Sequence, residues 1–177
     1  LTGPSSVYDS YNKRKETINQ ITNIFNNLTS SLIKLENFCN FFQASSSEIF
    51  ENSYGEPIDE NTKLNSKSPY AEGKLINHYK VLDLSKNYDW NIVSGIMFNH
   101  ESEFRGGNFL TSKDIKAAHN IYCKNSDNLE IGSLDYVRDW SYASDVTDAM
   151  YTLVKKNASG SYIIGSGEGH TIKDLVN

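Results

Sequence analysis

The run Asn91-Ile92-Val93-Ser94-Gly95-Ile96-Met97-Phe98 constrains the fold more than any other stretch. It lacks the polar alternation of a half-exposed strand and is too short for a buried helix. Such a run reads as a strand covered on both faces, a position typical of parallel sheets. Phe38–Ala44, Leu129–Ser133 and Ser161–Ile164 read as further strands. Segments of helical spacing lie between them. Ile18, Ile21, Ile24, Phe25, Leu28, Leu32 and Leu35 set one apolar stripe on a helix over about residues 9–35. Ser68 as N-cap and Pro69 at the first helical position open another, running to about Leu84 with Leu75, Ile76, Tyr79 and Leu82 inward. Thr111–Cys123 and Asp145–Lys156 follow, the latter with Val146, Ala149, Met150, Leu153 and Val154 inward. Thr171 caps a last helix, with Asp174 three residues on.

Helices alternating with short apolar strands predict an α/β fold with a mostly parallel sheet. Ligands of such sheets bind beyond the C-terminal ends of the strands. Polar clusters stand at three such places: Ser45–Glu48, Asn99–Ser102 and Gly165–Gly169. The stretch 135–143, with Arg138-Asp139-Trp140, reads as a loop.

Composition removes several function classes. A net charge of −5 and a pI near 5.4 argue against nucleic-acid binding. No apolar run approaches the length of a membrane span. Leu1–Ser6 is not a signal peptide, so Cys39 and Cys123 are expected to be free thiols in a reducing cytoplasm. The orphan loop at Leu1–Ser6 and the short helix before Asn177 are expected of a piece from a longer protein. No His/Cys cluster has metal-ligand spacing, so no metal is expected. His78 and His119 fall inside helices and read as structural, and His170 has no evident partner.

The chemistry concentrates in two stretches. Phe41-Phe42-Gln43-Ala44-Ser45-Ser46-Ser47-Glu48 delivers hydroxyls and a carboxylate at a strand end. Ser68-Pro69-Tyr70-Ala71-Glu72-Gly73-Lys74 then sets a phenol and an ammonium four residues apart on one helix face. A nearby cation favours the phenolate, which makes the pair an acid/base device. Tyr-x-x-x-Lys alone is a common accident, and the preceding hydroxyl-bearing strand end is what gives it weight.

These stretches resemble an extended short-chain dehydrogenase/reductase. Within that superfamily the chain is most similar to the GDP-mannose 4,6-dehydratase branch. Besides the two stretches above, Gly95-Ile96-Met97-Phe98-Asn99-His100-Glu101-Ser102 and Leu134-Asp135-Tyr136-Val137-Arg138-Asp139-Trp140 carry the likeness. It spans nearly the whole chain in order. The resemblance implies a Rossmann-like, mostly parallel sheet flanked by helices. Residues 1–100 would be the C-terminal half of an NADP-binding domain, and 101–177 the remaining core plus part of a smaller nucleotide-sugar domain. The glycine-rich βαβ fingerprint of the family is missing and is expected ahead of Leu1.

The implied reaction is a redox-neutral dehydration of GDP-mannose to GDP-4-keto-6-deoxymannose, a step of deoxysugar biosynthesis. Ser46 would hydrogen-bond the sugar 4-hydroxyl, and Tyr70 would deprotonate it while hydride leaves C4 for NADP. Lys74 would hold the nicotinamide ribose and lower the pKa of Tyr70. Glu48 would remove the C5 proton and help water leave C6. Its position two residues after Ser46 would suit this, because alternate strand residues share a face. Thr2, Gly3, Pro4, Ser5, His100 and Arg105 match cofactor positions. Asn99, Lys113 and Arg138 match positions that hold the nucleotide-sugar, Arg138 suiting a diphosphate. The resemblance also implies a homo-oligomer, a dimer or tetramer, when full length.

Departures from the branch are Glu16 in place of Tyr, Glu103-Phe104 in place of Pro-Arg, and Phe50-Glu51 in place of Tyr-Gly. A related dehydratase acting on a heptose, a reductase or epimerase of the same fold, and a non-catalytic fragment stay open as alternatives. Gly165-Ser166-Gly167-Glu168-Gly169 imitates a phosphate loop, but its spacing is wrong and Glu168 would face phosphate.

Overall fold

The computed structural model describes residues 3–50, 56–126 and 128–177. It divides into two units, residues 1–97 with 147–164, and residues 98–146 with 165–177.

The first unit holds a parallel three-stranded sheet in the order β1-β2-β5, where β1 is Phe41–Ala44, β2 Ile92–Met97 and β5 Gly160–Ile164. The opening run is the middle strand, buried from Ile92 to Ile96. Gly95 is covered by the Phe42 ring: a Cβ there would lie 2.0 Å from Phe42 Cζ. Strand β1 begins three residues later than the apolar pattern predicts. Phe38 instead stacks on Tyr88 and meets Trp90 edge-on. Asn40 donates to the carbonyl of Val154 at 2.8 Å, satisfying a last-turn acceptor of α5 (Ala143–Lys155).

The long N-terminal helix is two: α1, Val7–Asn12, and α2, Arg14–Lys34, broken at Lys13. Its buried stripe is rotated from the expected one. Thr17, Ile21, Thr22, Phe25 and Thr29 are buried, whereas Ile24, Leu28 and Leu35 are exposed. Two of these threonines can be buried because Thr22 and Thr29 donate to the carbonyls of Ile18 and Phe25, at 2.8 and 2.9 Å. Helix α3, Pro69–Asn87, runs further than expected and also presents a different face. Asn77, His78 and Val81 are buried, and Tyr79 is 53% exposed. Asn77 donates to the carbonyl of Ile21 on α2 at 3.1 Å. His78 Nδ1 lies 2.9 Å from Ser94 Oγ on β2, and burial holds its pKa below the usual histidine value. Phe25, Val81, Trp90 and Ile92 form the core that joins α2 and α3 to the sheet.

The second unit has its own small mixed sheet in the order β3-β4-β6. Strand β3 is Asn99–Glu101, β4 is Val137–Tyr142 and β6 is Gly169–Thr171; β3 pairs parallel with β4, and β6 antiparallel. Two expectations fail here. Residues 129–133 form no strand, and Arg138-Asp139-Trp140 lies on β4 rather than in a loop. Val137–Tyr142 mixes apolar and charged residues without alternation, its burial does not alternate either, and its sequence carries no strand period. The unit also contains α4, Leu110–Tyr122, which has no buried residue, and the capping-box helix α6, Ile172–Val176. No helix among the described residues is long and apolar enough to cross a membrane. Cys39 and Cys123 are free and exposed.

Candidate active site

At the end of β1 the chain leaves the sheet. The Ser45 amide still donates to the Gly95 carbonyl at 2.9 Å, but the next residues form a 3-10 turn, Ser47–Ile49. Ser46 caps that turn, its Oγ accepting from the Glu48 amide at 3.3 Å. The expectation that Ser46 and Glu48 share a face of an extended strand is therefore corrected. They are neighbours because a serine hydroxyl competes with the strand ladder for a local amide and closes a turn. Ile49 and Phe50, buried to 0% and 2%, anchor the turn, and Phe50 bridges to Leu64. Ser46 and Glu48 stay half-buried. Ser45 Oγ is buried with no hydrogen-bond partner among the described residues.

The turn packs against α3. Ser68 Oγ accepts from the Ala71 amide at 3.1 Å, and Pro69 occupies the first helical position, as the sequence predicts. Tyr70 and Lys74 follow on one face, with the ammonium 5.5 Å from the phenol ring centroid. Lys74 Nζ donates to the Ala44 carbonyl, the last of β1, at 2.8 Å. Burial lowers its pKa from 10.5 to about 8.

Between the two stands Gly73, which the sequence reading passed over. A Cβ there would meet Ile21 Cβ and Cδ1 of α2 at 3.1 Å. The close approach of α2 to α3 thus sets where Tyr70 and Lys74 lie. Gly73→Ala is expected to cost about 1–3 kcal/mol despite the better helix propensity of Ala, since the packed Ile21 side chain of α2 must shift to admit the methyl. Urea unfolding of the variant checks this; an unchanged or higher midpoint would show the contact to be slack. Arg14 of α2 is paired with Glu72 across the same junction.

Gly3, Pro4 and Ser5 line a cavity of about 330 Å³ together with Asp9, Lys13 and Glu16. Thr2 lies outside the described residues. Asn99, His100, Arg105, Lys113 and Arg138 belong to the second unit. Asn99 and His100 are on β3 and half-buried. His100 Nδ1 is 2.9 Å from the Phe98 carbonyl, an acceptor only, so that nitrogen carries the hydrogen. Arg105 lies over the Phe109 ring at 3.7 Å, with Nε 3.1 Å from Glu101 Oε2. Glu101 also accepts from Thr111 Oγ at 2.8 Å. Lys113 is exposed on the first turn of α4, and Arg138 is half-buried on β4 beside Tyr136.

Asp139 is a further organising residue that its sequence position did not reveal. Its carboxylate accepts from the Ser166 amide and hydroxyl and the Gly167 amide, at 2.9, 2.8 and 2.9 Å. These amides are the ones a phosphate loop would offer, so the glycine-rich stretch is a loop latched by a carboxylate. The signal was a run of small residues with free amides that required an acceptor. Among the described residues no group of three His, Cys, Asp or Glu side chains could hold a metal.

The first unit's parallel sheet and flanking helices have the fold of the extended short-chain dehydrogenases/reductases. The structure of RMD from Pseudomonas aeruginosa complexed with NADPH superposes with a TM-score of 0.91 at 23% identity, over 99% of this chain and 62% of that one. The dTDP-glucose 4,6-dehydratase DesIV from Streptomyces venezuelae, with NAD and TYD bound, gives 0.87 at 16% identity, over 99% and 53%. By sequence, residues 1–177 match the family described as GDP-mannose 4,6 dehydratase, and the chain belongs to that family. The GDP-mannose 4,6 dehydratase of Drosophila melanogaster is 36% identical over 80% of this chain and 36% of its own length. The human relative of the same name is 34% identical over 80% of this chain and 38% of its own. The chain thus spans well under half the length of these relatives.

Proposed function

We propose that this chain carries the acid–base half of a GDP-sugar 4,6-dehydratase acting on GDP-mannose, with NADP as cofactor, in the cytoplasm. The observation that carries the reading is the Ser46–Glu48 turn packed against the helix that bears Tyr70 and Lys74.

The donor set fits a nicotinamide nucleotide. A buried ammonium is fixed on the last β1 carbonyl beside a phenol, and Ser45 Oγ is an orphaned hydroxyl at the same strand end. Tyr70 and Lys74 would hold the nicotinamide ribose, and Gly3–Ser5 would lie along the cofactor. When bound, the nicotinamide supplies the hydride acceptor and donor that make the dehydration redox-neutral. Tyr70 takes the proton of the sugar 4-hydroxyl, with the Lys74 charge favouring its phenolate. Ser46 orients that hydroxyl. Glu48 takes the C5 proton, acidified by the 4-keto group, and returns a proton to the hydroxyl leaving C6. Asn99, Lys113 and Arg138 hold the GDP portion, the guanidinium matching the diphosphate.

The test is turnover of GDP-mannose in D2O by protein carrying this chain, with NADP present. A GDP-4-keto-6-deoxy sugar with deuterium at C5 is expected. A product without deuterium at C5, or no 4-keto product, would overturn the reading.

A further inference from the structure

Helix α3 is tied to its surroundings at two pairs of positions, each pair one turn apart. On the side facing α2, Gly73 and Asn77 both meet Ile21, Gly73 by close approach and Asn77 by donating to the Ile21 carbonyl at 3.1 Å. On the side facing the sheet, Lys74 and His78 repeat the spacing. Lys74 Nζ donates to the Ala44 carbonyl at the end of β1, and His78 Nδ1 lies 2.9 Å from Ser94 Oγ in β2. The two sheet ties fall at one level, because Ala44 pairs with Gly95 and Gln43 with Ser94. His78 and Ser94 are both buried, so their hydrogen bond is made away from solvent. The serine hydroxyl can donate to the ring nitrogen or accept from it, so the imidazole is bonded in either neutral tautomer.

We propose, on the acid–base role given above to Tyr70 and Lys74, that His78 is a positioning residue for that pair. Bonded to Ser94, it fixes the roll of α3 on the sheet that sets the Lys74 ammonium on the Ala44 carbonyl. Tyr70, Lys74 and His78 follow one another at intervals of four residues, so a roll that moves one moves all three. Held this way, the ammonium stays in the buried place that lowers its pKa from 10.5 to about 8. An imidazole suits this position because burial keeps it uncharged, so the tie adds no second cation one turn from Lys74. Around the ammonium, Tyr70 shares its helix face and Glu48 stands on the turn packed against α3. Strands β1 and β2 carry no ionisable side chain, β5 carries Tyr162, and the α2 junction carries the Arg14–Glu72 pair.

The test is the titration of Lys74, followed by carbon-13 NMR of the lysine Cε resonances and assigned by the signal missing from Lys74→Met. It uses protein carrying this chain with neither substrate nor cofactor, so its outcome is separate from that of the reaction. Two variants remove the tie: Ser94→Ala alone, and His78→Phe combined with Ser94→Ala, which leaves no buried polar partner behind. In both, the Lys74 midpoint is expected to rise from about 8 towards 10.5 by about one pH unit. Turnover of GDP-mannose should fall about tenfold in kcat, with KM changed by less than about twofold. His78→Asn sets an amide where Nδ1 stands and should retain both the midpoint and kcat. A Lys74 midpoint that stays near 8 in the folded variants, or one that rises equally in His78→Asn, overturns the positioning role. Loss of the folded circular dichroism spectrum in Ser94→Ala, the smaller change, would mean that the bond serves folding instead, and overturns it too. If the parent makes no 4-keto product, the reaction falls, and the titration still decides whether His78 positions Lys74.

Discussion

Glu48→Gln is expected to lower formation of the 4-keto-6-deoxy product by about 10²–10⁴-fold, the usual worth of a general base, while oxidation at C4 survives. The amide keeps the size and hydrogen-bonding reach of the carboxylate but cannot accept the C5 proton. The backbone amide of residue 48 still donates to Ser46 Oγ, so the turn is retained. A GDP-4-keto sugar that still carries its C6 hydroxyl should therefore form, with one NADP reduced for each ketone because the hydride is not returned to C6, and without deuterium at C5 when the reaction is run in D2O. Normal turnover of the variant would remove Glu48 from the elimination. Loss of C4 oxidation as well would show that the substitution had disturbed the Tyr70 side of the site.

Lys74→Met separates stability from activity. The buried ammonium has its pKa lowered from 10.5 to about 8, so the folded protein favours the neutral amine. Below about pH 8 the side chain is charged in both states, and folding then bears the full desolvation penalty. That penalty is at most about 3 kcal/mol at 1.36 kcal/mol per pKa unit. Between about pH 8 and 10.5 the unfolded chain binds the extra proton, so the parent gains stability as pH rises. The Met variant keeps the aliphatic stem and should lack this rise. It forfeits the donor to the Ala44 carbonyl, a loss of about 1 kcal/mol, and so should be more stable than the parent by about 1–2 kcal/mol at pH 7. It should nonetheless be inactive. Urea midpoints of both proteins at pH 7 and pH 10 decide the matter: a parent with no excess rise over the variant would show that Lys74 is effectively solvated. A stabilising change that removes function is what a site held at a cost to folding predicts.

Much of this architecture was legible because backbone and burial rules act locally. The short run Ile92–Met97, largely apolar and without polar alternation, reads as a covered strand, and Ser68-Pro69 announced the start of α3. Helix faces were read less well. Thr22 and Thr29 are polar letters that become buried side chains once their hydroxyls return to their own helix. His78 looked idle until Ser94 of β2 lay beside it. The charged strand at Arg138-Asp139-Trp140 was mistaken for a loop because Val137–Tyr142 does not alternate polar and apolar residues.

The sequence by itself determined the α/β class with a mostly parallel sheet, and pointed to Ser46, Glu48, Tyr70 and Lys74 as the residues to watch. These follow from periodicity, capping and a motif within one stretch of chain. Only the tertiary structure decided how they are held. Ser46 and Glu48 meet through a turn, because strand pairing ends at Ala44 and leaves a hydroxyl free to cap. Lys74 is tuned by burial against the last β1 carbonyl, thirty residues away in sequence. Gly73 matters because Ile21 comes from another helix to touch it. Desolvation and close packing are properties of neighbours distant in the chain, and no local pattern records them.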